Sequence, residues 1–242
     1  MIINTFTVCI SSEIPLVLQL KKSILAWHPD WTFDIFLMEY ANNLPLSDKI
    51  TILDFETIPN FQQLQTTYSL EELRSYLKAF CSKKLLQQTT IQAIAYLHPA
   101  TKLSSSLAIF ESSLQQANIL LFPLLSKPLL GSKSSLEKDY LNRGLINPNA
   151  WAVKNSSEGH RFIDWLHERL LIKGQTNLAE GLGSERLWLM HSPVFFEKVQ
   201  FLPNRMNIIQ LPEPLGKRFS LAKSISDLLK KCLNFVWTWQ PF

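Results

Sequence analysis

The run "IQAIAYLHPATKL", residues 91–103, carries an apolar, strand-like stretch that breaks off at His98-Pro99-Ala100. Open α/β sheets bind ligands beyond the carboxyl ends of their strands, so an imidazole there either touches a ligand or packs as a turn residue beside Pro99, the second being the preferred reading. Ala100, two positions on, offers only a methyl group. A second grouping is His160, Asp164 and His167 in "EGHRFIDWLHERLL", which share one helix face opposite Phe162, Ile163, Leu166 and Leu170. Two imidazoles and a carboxylate at that spacing could hold zinc. Ionisable residues fill most solvated helix faces, however, and a solvated polar face is the preferred reading.

Several classes are excluded by what the chain lacks. All seven glycines lie at Gly131 or later, so the N-terminal half has no G-x-G-x-x-G turn and no P-loop. Phosphates of a nucleotide bound there would need side chains or a metal to neutralise them, not a glycine cradle. The net charge of +4 is mild and scattered. It suits an anionic small molecule or an acidic membrane surface and argues against nucleic acid as a partner. Cys9, Cys81 and Cys232 are odd in number and far apart, indicating neither a disulfide framework nor a zinc module, and a reducing cytoplasm is expected.

The elements that must position these residues alternate. "NTFTVCIS" reads as a strand, "EIPLVLQLKKSILAWHPDW" as a helix with Leu16, Leu20, Ile24 and Trp27 on its apolar face, and "FDIFLM" as a strand. After the short run "KITILDF" come a helix over about 69–88, the strand "IQAIAYL", a helix near "SLAIFESSLQQ" and the buried strand "NILLFPLL". "EKDYLNRGLINPNAWAVKN" reads as a polar loop feeding the strand "AWAVK", ahead of the helix that carries His160. This alternation predicts an α/β fold, an open, mostly parallel central sheet with helices on both faces. The first residues lack the basic segment and apolar run of a signal peptide, and no stretch reaches the roughly 18 apolar residues of a spanning helix. A protein without a membrane span, attached at most to a membrane surface, is expected.

The C-terminal run "FSLAKSISDLLKKCLNFVWTWQPF", residues 219–242, places Leu221, Ile225, Leu228, Cys232 and Val236 on one stripe, with Lys223, Asp227, Lys230, Lys231 and Asn234 opposite and Trp237, Trp239 and Phe242 at its end. Such a stripe either packs on the protein's own body or lies in a membrane interface.

Taken in order, "IPNFQQLQTTYSLEELRSYLKAFCSKKLL", "IAYLHPATKL", "GLINPNAWAVKN", "HRFIDWLHERL", "GLGSERLWLMHSPVFF" and "NRMNII" resemble bacterial sugar-nucleotide-dependent glycosyltransferases of the A-type fold, related to the glycogenin-like retaining enzymes. The resemblance spans about residues 5–210. It implies an A-type domain over 1–215, a C-terminal helical tail over 216–242, a nucleotide-sugar donor, and a glycan or lipid-linked acceptor at a membrane surface. In that family the strand end reads Tyr-Leu-Asp-x-Asp, whose acid pair holds Mn²⁺ or Mg²⁺ against the donor diphosphate. His98 and Ala100 stand at the matching positions, so the hard oxygen ligands of such a cation are missing.

The same resemblance assigns donor-binding positions to Cys9, Ser11, Ser12, Lys78, His98, Ala100, Asn147 and Asn149, and catalytic ones to Glu185 and Arg186, which replace an Asp-Gln pair ahead of Trp188. Lys78 matches the lysine of a Lys-Pro-Phe segment, with Ala79 in place of the proline. Asn149 replaces a glycine. Two functions follow: metal-independent sugar transfer, with Lys78, His98 and Arg186 facing the donor phosphates, or a non-catalytic domain that uses the fold as a scaffold for a glycan or a partner enzyme. A third route to a metal would bring Asp139 in from the "SSLEKDY" segment, read as a flexible loop.

Overall fold

A computed structural model describes residues 1–38, 50–125, 127–128, 134–202 and 209–210. Its strands are β1 (Ile3–Cys9), β2 (Thr32–Leu37), β3 (Ile50–Ile52), β4 (Ala93–Leu97), β5 (Lys102–Leu103), β6 (Ile119–Pro123), β7 (Ile146–Lys154), β8 (Thr176–Asn177), β9 (Leu182–Gly183), β10 (Val199–Phe201) and β11 (Ile209–Gln210). The helices are α1 (Ile14–Trp27), α2 (Phe61–Thr67), α3 (Leu70–Leu86), α4 (Ala108–Gln116), α5 (Ser134–Arg143), α6 (Ser157–Lys173), α7 (Ser184–Leu189) and α8 (Ser192–Phe195).

Seven strands form one sheet in the order β10-β6-β7-β4-β1-β2-β3. Every neighbouring pair is parallel except β4 with β7 and β6 with β7. The predicted mostly parallel sheet is thus present, with β7 inserted against the general direction. Two small antiparallel pairs, β5 with β11 and β8 with β9, lie outside it.

Side-chain alternation divides the core in two, as the strand period requires. Phe6, Val8, Ile94, Tyr96, Trp151 and Val153 face one layer with α3 and α6, while Ile3, Cys9, Ala93, Ala95, Ala150 and Ala152 face the other with α1 and α4. Both faces are covered, which is why the central strands read as unbroken apolar runs.

Helix α3 begins where its sequence directs. Ser69 Oγ accepts from the Glu72 N–H while the Glu72 carboxylate accepts from the Ser69 N–H, and Glu71 with Glu72 in the first turn and Lys83 with Lys84 in the last complement the helix dipole. In α6, Phe162, Ile163, Leu166 and Leu170 are buried as their spacing predicts.

Two local expectations are corrected. The apolar face of α1 is Ile14, Val17, Leu20 and Ile24, whereas Leu16 and Trp27 are 42% and 52% exposed, because the face starts two residues earlier, at Ile14. The segment expected as a polar loop supplies α5 and the first strand residues of β7. There Asp139 lies within a helix and pairs with Arg143 at i+4, 2.7 Å away, instead of on a swinging loop.

Residues Met1–Pro212 form one compact unit. The expected C-terminal helical tail, including residues 219–242, and most of "NRMNII" lie outside the described residues. Among the described residues no helix is long and apolar enough to cross a membrane.

Candidate functional site

The site grows from an irregularity in β7. Its pairing with β6 jumps from Leu121 opposite Trp151 to Phe122 opposite Asn147, so the chain bulges at Pro148–Ala150. Asn147 Oδ1 accepts from the Asn149 N–H at 3.0 Å, a side-chain-stabilised turn around a proline that has no donor to offer. The bulge meets the end of β4, where the Asn149 carbonyl accepts from the His98 N–H at 2.9 Å.

Across this bulge lies α3, on which Arg74 and Lys78 are four residues apart and therefore on one face. Lys78 is 3% exposed. Its ammonium donates to the Pro148 carbonyl at 2.9 Å and to Glu185 Oε2, and it lies 4.6 Å from the centroid of the Tyr96 ring. Glu185, in the first turn of α7 and 1% exposed, accepts from the Trp151 indole N–H at 3.2 Å through its other oxygen. Burial pushes the Lys78 pKa down, and the Glu185 carboxylate opposes that.

Arg74, 2% exposed, forms the second half of the site. One guanidinium nitrogen donates to both oxygens of Glu13 at 3.0 Å, and the other lies 3.0 Å from His98 Nε2. Glu13 closes the short turn after β1 and also accepts from the Ile10 N–H. His98 Nδ1 accepts from the Ala100 N–H at 3.1 Å. Burial first, then the charges of Arg74 and Lys78, push the His98 pKa down to about 3, so the ring is neutral.

Of the positions assigned from sequence, Lys78, Glu185, Asn147, Asn149, His98 and Ala100 are linked through this hydrogen-bond chain. Ser11 and Ser12 lie in the turn beside Glu13, half-buried and exposed respectively. Cys9 is buried in the opposite core layer, under α1 and α4. Arg186 is not part of the group: it donates to the Gly144 carbonyl at 2.8 Å and faces Asp139 at 3.9 Å, so it joins α7 to the end of α5. Lys78, His98 and Arg186 therefore do not converge.

Arg74, Glu13 and Trp151 are the groups that sequence reasoning passed over. The available signal was the spacing of Arg74 and Lys78 within "LRSYLKAF", which sets two cations on one helix face among apolar residues.

The divalent cation that the family resemblance implies does not suit these residues. A neutral imidazole has one lone pair, and both ring nitrogens of His98 already face donors, the Ala100 N–H and the Arg74 guanidinium. Ala100 contributes a methyl group, and among the described residues no three His, Cys, Asp or Glu are grouped to hold a metal ion. The alternative zinc grouping on α6 is likewise engaged elsewhere: His160 bonds to Asn155, Asp164 pairs with Lys83 at 2.7 Å, and His167 contacts the Tyr76 and Phe80 rings.

No protein-family model matches the chain, and no curated protein matches it. Solved structures do. A glycosyltransferase involved in glycosylation of the major capsid of PBCV-1 superposes with a TM-score of 0.50 over 84% of this chain and 83% of its own, at 8% identity. The galactosyltransferase LgtC in complex with donor and acceptor sugar analogs gives 0.48 over 84% and 74% at 11% identity. Mouse xyloside xylosyltransferase 1 gives 0.45 over 84% and 86% at 12% identity. The first of these, with the sheet order described above, defines the architecture: the chain has the A-type glycosyltransferase fold. Identities this low carry the fold and nothing finer.

Proposed function

We propose that the chain is a glycosyltransferase-like domain that handles a sugar-nucleotide donor without a divalent metal, at the carboxyl end of β4 beside the β7 bulge. The supporting observation is the convergence of Lys78, Glu185, Asn147, Asn149 and His98 at that strand end, where an open α/β sheet receives ligands. In this reading Glu185 is a positioning residue that holds Lys78, Asn147 and Asn149 border the sugar, Ser11 and Ser12 lie toward the nucleotide, and Lys78 and Arg74 lie on the side of the phosphates. The acceptor is a glycan or lipid-linked sugar, the location is cytoplasmic, and residues 219–242 contact a membrane surface.

A second reading, a non-catalytic domain that binds a glycan or a partner enzyme, is favoured by one observation. Both buried cations are already matched, Lys78 by Glu185 and Arg74 by Glu13. Charge developing on a leaving diphosphate needs preorganised positive groups, and here they are engaged.

A thermal-shift screen of nucleoside diphosphates and their sugars in EDTA tests the first reading. A ligand at about 100 times its dissociation constant stabilises by about 2.7 kcal/mol, a rise of about 5–10 °C for a chain of this size. Such a rise with at least one donor is expected. No rise with any donor, in EDTA or with Mn²⁺, replaces this reading with the scaffold.

A further inference from the structure

We propose that the guanidinium of Arg74 is the resident cation of this strand end, set against the position to which the family resemblance assigns a metal ligand, and that it closes the strand end to a divalent ion. Arg74 is fully interior, yet it comes from α3 and reaches β4, where its nitrogen lies 3.0 Å from His98 Nε2. Position 98 is the first of the two positions that would carry metal ligands. A cation and its ligand's partner cannot share that space.

Two features fix the guanidinium there. It is clamped by both oxygens of Glu13, a charge-assisted contact that orients its plane. Glu71, on the preceding turn of α3, adds a second carboxylate at 3.6 Å. Its remaining donor, Nε, is buried without a partner, so the group is held by charge and by the Glu13 contact instead of by a complete hydrogen-bond set. Replacement of the acids at this strand end and the presence of Arg74 are then two halves of one change. With a carboxylate at position 98 the neighbouring interior guanidinium would turn to pair with it, and with a neutral imidazole, 3.0 Å away at Nε2, it has an uncharged neighbour that it keeps uncharged.

The surrounding charges agree. Arg74 and Lys78 are balanced by Glu13 and Glu185 with the half-exposed Glu71 at the edge, and no described acid is left beside His98 to receive a doubly charged ion. A divalent cation placed there would meet two buried positive groups in a medium that screens them poorly. The proposal stands whether or not the chain binds a sugar nucleotide, because it concerns only which cation the strand end holds.

The test is direct binding of Mn²⁺, read from the loss of the free-ion electron paramagnetic resonance signal. It compares the full-length wild type, the double variant H98D/A100D and the triple variant R74M/H98D/A100D. The wild type is expected to leave Mn²⁺ free. The double variant should also leave it free, because Arg74 captures the new carboxylate, and the triple variant should bind at least about tenfold more tightly than the double. Mn²⁺ uptake by the wild type that H98A abolishes overturns the proposal, as does equal affinity of the double and triple variants. Should the triple variant not fold, the double decides alone. Absence of Mn²⁺ binding together with a melting temperature at or above that of the wild type, the mark of a new ion pair to Arg74, supports the proposal, and Mn²⁺ binding or a lower melting temperature overturns it.

Discussion

Removing one partner of the Lys78–Glu185 pair should be among the most damaging single changes to this fold. The two side chains are 3% and 1% exposed, and each has one further polar partner, the Pro148 carbonyl and the Trp151 indole. Glu185→Gln keeps an acceptor for Trp151 but leaves a buried ammonium without its counter-charge. Lys78→Met leaves a buried carboxylate in the same position. Breaking a buried pair from one side costs about 3–5 kcal/mol, which for a chain of this size lowers the melting temperature by about 6–20 °C. K78M/E185Q removes both charges, so its cost should fall short of the sum of the singles by at least about 1 kcal/mol. Urea unfolding followed by circular dichroism gives the three values. Single costs below about 1 kcal/mol, or a double variant equal to the sum, would mean that the two charges are not a buried, mutually dependent pair.

Three other outcomes follow from the same geometry. His98 has a folded pKa of about 3 against an ordinary 6.5, so the unfolded chain takes up the proton first. Its contribution to stability is complete above the ordinary value and is lost as pH falls toward 3, at about 1.4 kcal/mol per pH unit. Burial lowers His28 and His167 as well, in the same direction, so His98→Asn should reduce the acid slope of the melting temperature without abolishing it; an unchanged slope would contradict the assignment. Gly144 has φ +93° and a Cβ there would lie 2.6 Å from the Arg186 carbonyl oxygen, whereas Gly181 at φ +73° faces open space. Gly144→Ala should therefore cost more than Gly181→Ala, whose penalty is the backbone term of about 1–2 kcal/mol alone, and chemical denaturation of the two variants checks the order. Asp164→Ala, which removes a solvent-exposed pair with Lys83, should change stability by no more than about 1 kcal/mol and leave any Zn²⁺ response of the melting curve untouched.

What could be read from the sequence follows the range of the interactions involved. The Ser69 cap, the buried stripe of α6 and the alternation of strands and helices are local, and short-range patterning specifies them. The reversed direction of β7 is a property of pairing, which no local pattern encodes, and Asn147-Pro148-Asn149, turn-forming residues read as part of a polar loop, lie inside β7 as its bulge. Lys78, Asn147 and Glu185 stand out in the sequence only through family resemblance, and His98 also through its place at a strand end. Their mutual contacts depend on α3 crossing the bulge, a tertiary fact. Arg74 escaped notice because an arginine on a helix is ordinarily solvated, and only the packing of α3 against β4 makes it interior. Arg186 failed to join the group for a geometric reason: neighbouring helix residues point about 100° apart, so with Glu185 turned to Lys78, Arg186 is turned to Gly144.

Calorimetric titration of the full chain with nucleoside-diphosphate sugars, once in EDTA and once with saturating Mn²⁺, tests the central claim most directly. Saturable binding of at least one donor is expected, with the same dissociation constant, within about twofold, under both conditions. Binding that appears only with Mn²⁺, or tightens by about tenfold or more when it is added, would contradict a metal-free donor site.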